Sequence, residues 1–557
     1  MMDLKKPIEE AIIKAGYDVP AFDIDVPPEG MPGDYSVNVA LLIGSCEQES
    51  PSLVAEKIID NINDEIIEKI EIAGPGFMNI RLKDSFYHHY LLKILKAGAN
   101  FGKQEENKNG KALIEYISAN PTGPLHIGNA RGGPIGEVLA NVLFWQGFSV
   151  ESEFYVNDTG AQIKKFGQTL AYWYIIKKDE KYPFPDGGYP GEFLQEVSEE
   201  IQKEKSKEIG ELRDDELVDF FIKEGLERTI RRIKDDIAAL GLHFDRFVYE
   251  SDIISSGDGL KVVDQLKSGG HTSEKEGALW FTTNDLDPND RETVLLRSDA
   301  EKTPTYFAND IAYHKDKFDR GNNLLIDVWG ANHHGHIPRL KGALKALGYE
   351  ENNFLVVLYQ NVRLKKGGEV KQMGKRLGNY INISDLITKL KVPADVFKFM
   401  IISQSPSSVI DFDLELALEQ SEKNPVYYLQ YAYARICSVL RKADSKLLGE
   451  LENIAEGEGS INAESLTNLK DKKELELIRS LIGLPSVLKK VSDNFQIQAL
   501  PHFATEVARA YHNFYSSCQI LSDDQELTKS RLLLVLAARN VLKISLTLMG
   551  ISAPEKM

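Results

Sequence analysis

The stretch ALIEYISANPTGPLHIGNARGG, residues 112–133, decides the fold of this chain. It begins as an apolar run typical of a buried strand, and Pro and Gly then break it into a loop. Apolar residues return at helical spacing from Ile135 to Leu143 and stop at Gly147, and Ser149–Val156 has the pattern of a second strand. The sequence therefore predicts a strand, turn, helix and strand of a parallel sheet. The turn lies at the carboxyl edge, where backbone N–H groups attract phosphate.

The composition limits what the protein can be. Its 557 residues are enough for three or four domains, and 42% hydrophobic residues supply several cores. A net charge of −18 speaks against general nucleic-acid binding, so any such face must be a local basic patch. Three widely spaced cysteines argue against a disulfide framework and favour a cytoplasmic location. We expect neither a signal peptide nor a membrane-spanning segment, because long apolar runs are missing from the sequence.

The run His126-Ile127-Gly128-Asn129 lies inside the predicted turn. It resembles the His-Ile-Gly-His signature of class I aminoacyl-tRNA synthetases. The resemblance implies that His126 and Asn129 grip the triphosphate of ATP, that Gly128 lets the adenine approach closely, and that Pro124 belongs to the same ATP site. Asn replaces the last His of the signature, and it can still donate hydrogen bonds although it carries no charge.

A cationic, glycine-rich segment follows about 250 residues later. Residues 361–376 contain six Lys or Arg and one Glu in a protein of net charge −18. The run QMGKR at 372–376 resembles the second class I signature, Lys-Met-Ser-Lys-Ser, with Gln in place of the first Lys and with both Ser replaced. The resemblance implies ATP contacts from Met373, Lys375 and Arg376, and a catalytic role for Lys375 on the departing phosphates.

Acidic and aromatic residues around these signatures indicate which amino acid such a synthetase would activate. A guanidinium is a flat cation with five donors, so its pocket needs carboxylates and an aromatic face. Residues of these types fall where arginyl-tRNA synthetases carry their substrate residues: Glu115, Ser118, Asn120, Glu250, Tyr306 and Asp310. By that resemblance, Glu115 and Asp310 bind the guanidinium and Tyr306 packs beside it. Ser118 and Asn120 hold the α-amino and carboxylate groups, and Glu250 completes the pocket.

The remainder of the chain divides around this core, and the predicted fold class is α/β. Residues 1–103 predict a small α/β domain that resembles the tRNA-contacting N-terminal domain of arginyl-tRNA synthetases. Residues 108–420 predict a Rossmann-type catalytic domain with a charged helical insertion at about 169–275. Residues 421–557 resemble the all-α anticodon-binding domain of the family. Its candidates for stacking on anticodon bases are Tyr427, Tyr431, Tyr511 and Tyr515, of which we expect one or two to meet RNA.

The combination identifies the chain as a member of the arginyl-tRNA synthetase family. That family implies activation of arginine with ATP and Mg²⁺, followed by transfer to tRNA(Arg). It also implies that tRNA is needed before arginine is activated. We expect a cytoplasmic monomer without a tightly bound cofactor. Histidines at 333, 334 and 336 raise the question of zinc, but we expect no metal site, because no carboxylate or Cys lies nearby at ligand spacing.

Three alternatives remain open on the sequence alone. A class I synthetase for another amino acid would not need Glu115 and Asp310. A small-molecule adenylyltransferase shares the first signature, but it needs neither the N-terminal part nor the helical tail. A tRNA-binding protein with a decayed site is suggested by the altered signature positions Asn129, Gln372 and Gly374, and it would bind tRNA without turning over ATP.

Overall fold

The fold is seen in a computed structural model that describes residues 2–25, 27, 31–282, 292–372, 381–455, 461 and 463–557. Three predicted ATP contacts, Met373, Lys375 and Arg376, lie outside the described residues.

An α/β unit with an antiparallel sheet begins the chain. Its elements are α1 Met2–Lys14, β1 Ile24–Asp25, β2 Tyr35–Val37, α2 Val39–Glu47, α3 Pro51–Asn61, β3 Ile67–Ala73, β4 Phe77–Leu82 and α4 Asp84–Ala97. The strands pair in the order β1-β2-β4-β3. Gly74 and Gly76 both have positive φ, which lets the chain reverse between β3 and β4. The sequence pattern predicts an opening amphipathic helix and, over residues 70–82, a strand pair bent at its glycines, and both are confirmed.

The first half of the central part contains the predicted strand, turn, helix and strand. Its elements are β5 Lys111–Glu115, α5 Ile127–Ala130, α6 Gly132–Trp145, β6 Ser149–Val156, α7 Gly160–Ile175, α8 Glu192–Glu204, α9 Ser206–Glu211, α10 Asp214–Ala239, β7 Arg246–Tyr249, α11 Glu250–Ser256 and α12 Asp258–Ser268. β5 and β6 pair in parallel, as predicted, and α6 packs against both strands.

The second half of the central part supplies the remaining strands of the same sheet, together with further strands and helices. Its elements are β8 Thr272–Lys275, β9 Ala278–Phe281, β10 Thr293–Leu296, α13 Tyr306–Asp319, β11 Leu324–Gly330, α14 Ile337–Ala346, β12 Phe354–Tyr359, β13 Val362–Lys366, β14 Glu369–Gln372, α15 Ile383–Thr388, α16 Ala394–Ile402, β15 Ile410–Asp413 and α17 Leu414–Leu418. In the described part of the chain, the central sheet is parallel and has the strand order β12-β11-β5-β6-β7. Leu113, Ile114 and Ile326 in its middle strands are fully buried, because helices cover both faces.

The region predicted as a helical insertion, about 169–275, is helical over most of its length. Helices α7 to α10 pack on one another around their own apolar cluster, which includes Phe166 and Phe221. β7 then joins the edge of the central sheet beside β6, and α11 and α12 follow it. The region therefore contains one strand of the central sheet, and its bounds as an insertion stay a prediction.

The end of the chain is helical, as predicted. Its elements are α18 Pro425–Leu440, α19 Ser445–Ala455, α20 Lys472–Ile482, α21 Leu484–Asn494, α22 Ala499–Ser517 and α23 Gln525–Leu548. α23 is the central helix, since Leu532–Ala538 are fully buried and α18, α19, α20 and α22 pack against it. The boundaries proposed at 103/108 and 420/421 stay predictions.

Candidate active site

A cleft of about 1330 Å³ opens at the carboxyl ends of the central strands. It lies where the strand order reverses between β5 and β11, which is where open α/β sheets bind ligands. The helix α13 contributes one wall, and the loop after α7 contributes another. The cleft brings together many of the predicted site residues: Glu115, Ser118, Asn120, His126, Asn129, Glu250, Tyr306 and Asp310.

His126 caps the short helix α5, and the helix in turn fixes its ring. His126 Nδ1 accepts hydrogen bonds from the N–H groups of Gly128 at 3.1 Å and Asn129 at 3.2 Å. Asn129 Oδ1 accepts from the N–H of His126 at 2.8 Å, which completes a reciprocal cap. Because Nδ1 is an acceptor, the hydrogen of the neutral ring lies on Nε2. The His126 Nε2 and Asn129 Nδ2 groups are donors of the kind that phosphate oxygens accept.

The backbone at the start of α5 does not offer the predicted N–H groups to phosphate. Two of them cap His126, the N–H of Ile127 donates to the carbonyl of Ile381 at 3.1 Å, and the N–H of Ala130 makes the first helical bond at 2.9 Å. That expectation was wrong because the His126 ring takes the place of an external anion. Any phosphate contact in this turn falls to the side chains of His126 and Asn129.

Pro124 and Gly128 lie within the turn and shape it. Pro124 is buried and Gly128 is half-buried. A Cβ on Gly128 would lie 3.0 to 3.1 Å from ring atoms of His126, so the glycine lets that ring fold back over the helix start. Neither residue lines the cleft in the described part of the chain, and their contact with ATP stays a prediction.

A strained turn after β5 brings Ser118 into the cleft. Ile117 has φ +66° and Ser118 has φ +40°, in the left-handed region that non-glycine residues, and β-branched ones above all, rarely adopt. Ser118 Oγ accepts from the N–H of Tyr155 at 3.0 Å. Asn120 Nδ2 donates to Gln162 Oε1 at 2.8 Å. β6 and α7 therefore orient the two side chains predicted to hold the amino acid's polar groups.

Asp310, on α13, is the most accessible of the three predicted acids. Its side chain is 27% exposed, whereas Glu115 and Glu250 are buried. It accepts a hydrogen bond from His336 Nε2 and lies 3.2 Å from His314 Nδ1. Burial alone would raise the pKa of Asp310, but the two imidazoles hold it well below its usual range. Asp310 is therefore an ionised carboxylate at the surface of the cleft.

A buried charge network lies beneath Asp310. Lys317 Nζ donates to Glu115 Oε2 at 2.6 Å and to Asp327 Oδ1 at 3.0 Å, and His314 Nε2 donates to Asp327 Oδ2 at 2.7 Å. Burial alone would lower the pKa of His314, but Asp310 and Asp327 raise it to about 10, so the ring is protonated. Burial alone would raise the pKa of Asp327, but the two buried cations hold it low, whereas burial raises the pKa of Glu115 above its ordinary value. Asp310 is the carboxylate of this group that stays accessible from the cleft, where it can meet a further positive charge.

The remaining predicted residues surround this network. Glu115 lines the cleft, but its carboxylate is already paired with Lys317 and accepts from Tyr313 Oη at 2.9 Å. Glu250 accepts from the hydroxyl of Thr159, and burial raises the pKa of Glu250 above its ordinary value. Tyr306 is 50% exposed and supplies an aromatic face to the cleft.

The described residues that follow the second signature contact the His126 turn. β13 and β14 form an antiparallel hairpin that leads to residue 372. On the far side of the undescribed residues 373–380, the chain returns to the His126 turn. There Ile381 accepts from Ile127, and the N–H of Ile383 donates to the carbonyl of Leu125 at 2.8 Å.

The histidine-rich loop after β11 lines the cleft and has other partners than a metal. His336 donates to Asp310, and His334 Nδ1 lies 3.2 Å from the carbonyl of Ala331. Among the described residues, a different group has the spacing of metal ligands, with atoms within 4.8 Å of one another: Glu115, His314 and Asp327. The Lys317 ammonium already bridges the two carboxylates of that group.

Sequence reasoning missed His314, Lys317 and Tyr313, which build the floor of the site. A signal was present in the sequence. Asp310, His314 and Lys317 follow one another at spacings of four and three residues, which places them on one face of α13. That face also carries Phe307 and Ile311, which mark it as buried, so its polar residues required partners.

An aromatic cluster lies on the surface of the C-terminal helices. It consists of Tyr427, Tyr431, Arg435, His512 and Tyr515. The rings of Tyr427 and Tyr431 stack with centroids 6.2 Å apart, and the Arg435 guanidinium lies 4.6 Å from the Tyr431 centroid and 5.0 Å from that of Tyr515. Tyr511 was also a candidate for stacking on RNA, but it is fully buried and belongs to the helical core.

Comparison with known families accounts for nearly the whole chain. Residues 2–82 match the arginyl tRNA synthetase N terminal domain, residues 91–394 match the catalytic domain of class I (R) tRNA synthetases, and residues 429–557 match the DALR anticodon binding domain. An arginine–tRNA ligase of Caldanaerobacter subterraneus is 38% identical over 96% of this chain and 93% of its own. The chain belongs to the arginyl-tRNA synthetase family.

Other members of the arginyl-tRNA synthetase family agree in sequence and in fold. An arginine–tRNA ligase of Heliobacterium modesticaldum is 39% identical over 97% of this chain and 94% of its own. The solved arginyl-tRNA synthetase of Thermus thermophilus superposes with a TM-score of 0.77 at 21% identity and covers 100% of both chains, which confirms the fold. No helix in the described ranges has the length and apolarity needed to cross a bilayer.

Proposed function

We propose that this chain activates arginine with ATP and transfers the arginyl group to tRNA(Arg). The observation that carries the proposal is the ionised Asp310 carboxylate, which shares one cleft with the side chains of His126 and Asn129. A carboxylate there suits a guanidinium, and the two donors suit a triphosphate. Membership of the arginyl-tRNA synthetase family supports the same substrates.

Arginine enters with its guanidinium towards α13. Asp310 accepts paired hydrogen bonds from it, and Tyr306 packs against its flat face. Glu115 and Glu250 add negative potential from below, although Glu115 shares its charge with Lys317. At the other end of the amino acid, Ser118 and Asn120 hold the α-amino and carboxylate groups.

ATP binds across the His126 turn together with Mg²⁺, as one substrate complex. His126 and Asn129 hold the triphosphate through Nε2 and Nδ2, and Pro124 and Gly128 shape the adenine side. The resemblance to the second signature adds Met373, Lys375 and Arg376 to the ATP contacts.

The first step is an in-line displacement at the α-phosphate. The arginine carboxylate attacks, arginyl-adenylate forms, and pyrophosphate departs. No residue acts as a general base, because the nucleophile is already an anion. Catalysis rests on positioning and on stabilisation of the pyrophosphate charge by His126, Asn129 and Lys375. In the second step, the terminal 2′-hydroxyl of tRNA attacks the adenylate carbonyl and AMP leaves.

The protein contacts the tRNA at its anticodon and at its body. The aromatic cluster offers the exposed ring of Tyr515, the half-buried rings of Tyr427 and Tyr431 and the Arg435 guanidinium for stacking with unpaired anticodon bases. The N-terminal α/β unit contacts the body of the tRNA. The protein acts in the cytoplasm, where translation takes place, and as a monomer; sedimentation at micromolar concentration tests the latter.

The test is arginine-dependent exchange of pyrophosphate into ATP, measured with and without tRNA and with lysine and glutamate as controls. Exchange with arginine alone among the amino acids supports the assignment. If exchange appears only after tRNA is added, tRNA binding completes the site for the first step, which is an induced-fit arrangement.

Other outcomes would contradict the proposal in distinct ways. Exchange with a different amino acid would mean that Asp310 does not select a guanidinium. Exchange without any tRNA binding would favour a small-molecule adenylyltransferase. Absence of exchange in a protein that still binds tRNA would mean that the altered signature positions have disabled the site.

A further inference from the structure

Arg131 is a fully buried arginine that the substrate sites do not use. It lies five residues after His126, between α5 and α6, and its exposed fraction is 0%. Burial lowers the pKa of Arg131 to about 10, so the guanidinium remains charged at neutral pH. Charged side chains are rarely buried without a carboxylate partner, so the location of this one requires a reason.

Backbone carbonyls, rather than a carboxylate, surround the guanidinium. Nη1 donates to the carbonyls of Gln360 at 2.6 Å and Ser408 at 2.8 Å. Nη2 donates to the carbonyls of Ser405 at 3.0 Å and Pro406 at 3.1 Å. Nη1 also donates to the carbonyl of Asn361 at 3.4 Å. The five carbonyls come from two separate segments, and one planar guanidinium reaches both.

Both segments lead into the hairpin that precedes the second signature. Residues 360–361 run directly into β13, and residues 405–409 run into β15, which pairs in parallel with β13. The two segments also bond to each other, since the N–H of Gln360 donates to the carbonyl of Pro406 at 2.9 Å. The β13–β14 hairpin therefore starts from a base that Arg131 holds together.

The far end of the second-signature segment is also tied to the first signature. Ile127 and Leu125 bond to Ile381 and Ile383, as described above. The hairpin that starts at residue 362 thus begins beside carbonyls held by Arg131, and residues 381–383 bond to the residues on either side of His126. Both sets of contacts come from one stretch of seven residues, 125–131.

We propose that Arg131 is a positioning residue for adenylate formation, which fixes the base of the β13–β14 hairpin against the helix that His126 caps. The inference rests on the proposed function, in which both signatures bind the triphosphate. Arg131 does not touch substrate. It acts by holding the carbonyls of 360 and 405–408, and with them the hairpin, against the helix that His126 caps.

A purely structural role makes a different prediction from a positioning role. If Arg131 only stabilised the fold, its replacement would lower activity in step with stability and would affect all substrates alike. If it positions the second signature, the replacement impairs the use of ATP and leaves arginine and tRNA binding nearly unchanged. The split between the KM values for ATP and for arginine separates the two.

The experiment compares Arg131→Met and Arg131→Lys with Arg228→Met. Arg228 is another buried arginine, but it pairs with Glu204 and Glu224 in the helical insertion, away from both signatures. In pyrophosphate exchange, we expect Arg131→Met to lower kcat/KM for ATP by about 100-fold, the scale of a misplacement of about 1 Å. The KM for arginine and the Kd for tRNA should stay within about twofold. Arg228→Met should not show the split.

Arg131→Lys keeps the charge but cannot bridge both segments, and we expect it to show the same selective loss of ATP use at a smaller size. It keeps the test valid if Arg131→Met does not fold. Added ethylguanidinium should restore part of the exchange in Arg131→Met and none in Arg228→Met.

Two results would overturn the inference. Equal losses for ATP and arginine, or losses that follow the unfolding midpoint in both Arg131 and Arg228 variants, would make Arg131 a structural residue only. Wild-type exchange is measured first, because a wild type without exchange refutes the proposed function and the inference with it. Normal wild-type exchange with an unchanged KM for ATP in the Arg131 variants refutes the inference alone.

Discussion

The Asp310 carboxylate is both charged and accessible, because its histidine partners and its solvent-exposed edge lie on different sides of it. His314 and His336 hold the carboxylate ionised, while the edge that faces the cleft stays open to solvent. A carboxylate held in this way is preorganised for a cation, since few of its surroundings must move when the ligand arrives. Glu115 is different, because burial raises its pKa above the ordinary value and its carboxyl group is already paired with Lys317. The selectivity for arginine should therefore depend on Asp310 first.

Replacing Asp310 with Asn tests this ranking. The change removes the charge and keeps the shape, and we expect kcat/KM for arginine to fall by about 10- to 150-fold, the value of a hydrogen bond to a charged group. Asp316→Asn is the matched control, because Asp316 lies on the same helix but pairs at the surface with Arg320. A loss as large in Asp316→Asn as in Asp310→Asn would show that α13, and not the Asp310 charge, was disturbed.

His314 makes stability depend on pH in the alkaline range. Its pKa rises from an ordinary 6.5 to about 10 in the folded protein, because Asp310 and Asp327 outweigh the effect of burial. The folded state then binds a proton that the unfolded state releases. The contribution is complete below pH 6.5 and is lost as the pH rises towards 10. We expect the free energy of unfolding in urea to fall over this window and to fall less in His314→Gln. Parallel curves for the two proteins would contradict the assignment.

Among single residues, the sequence identified those that a family resemblance names, but it did not identify the residues that support them. Asp310 and Tyr306 could be selected because their chemistry suits a guanidinium. Lys317 could not, because a lysine on a charged helix is usually solvated, and only the packing of α13 against β5 and β11 shows that it is buried. Arg131 was missed for the same reason, since its partners are carbonyls more than 200 residues away.

The helix α6 lies unusually close to the end of β5. A Cβ on Gly136 would lie 2.2 Å from the ring of Tyr116, so Gly136→Ala must push the helix away from the sheet. We expect a loss of about 1–3 kcal/mol in the free energy of unfolding, typical of overpacking. Gly449→Ala, in α19, is the control, because a Cβ there meets nothing within 4 Å and alanine favours helix. A neutral Gly136→Ala would mean that the Tyr116 ring can move aside.

Elements with a strong apolar pattern were predictable, and short or half-exposed ones were not. β11 and β12 are continuous apolar runs, and their parallel pairing followed from the helix between them. β7 has four residues, none of them fully buried, inside a charged region, so its place in the sheet depends on tertiary pairing with β6. The apolar pattern of residues 474–491 predicts continuous helix, but the structure has two helices there, since α21 starts anew with Pro485 in its first turn.

On the scale of the whole molecule, the aromatic cluster and the cleft belong to different parts of the chain. Tyr431 is the centre of the cluster, because it contacts Tyr427, Arg435 and His512. We expect Tyr431→Ala to weaken tRNA binding by about 5- to 150-fold, the value of one base stacked on an aromatic ring, and to leave the KM for ATP unchanged. Tyr349→Ala is the control. Tyr349 also stacks on an aromatic ring, that of Phe318, but it precedes β12 in the central part of the chain and does not belong to the aromatic cluster. Equal tRNA affinity in all three proteins would remove the cluster from the tRNA interface.

The strand order of the central sheet also has a consequence for synthesis on the ribosome. β5 pairs with β6 soon after it is made, but its other neighbour, β11, begins at Leu324. At about 5–20 residues per second, the edge of β5 waits roughly 10–40 s for its partner. In nascent chains stalled with β11 still inside the exit tunnel, we expect residues 111–115 to be cleaved readily by protease, and to be protected once residue 359 has emerged. Equal protection at both lengths would mean that another segment covers β5 in the interval. Until β11 pairs with it, β5 is an edge strand with unpaired N–H and C=O groups. Chaperones bind surfaces of this kind, and aggregates grow from them.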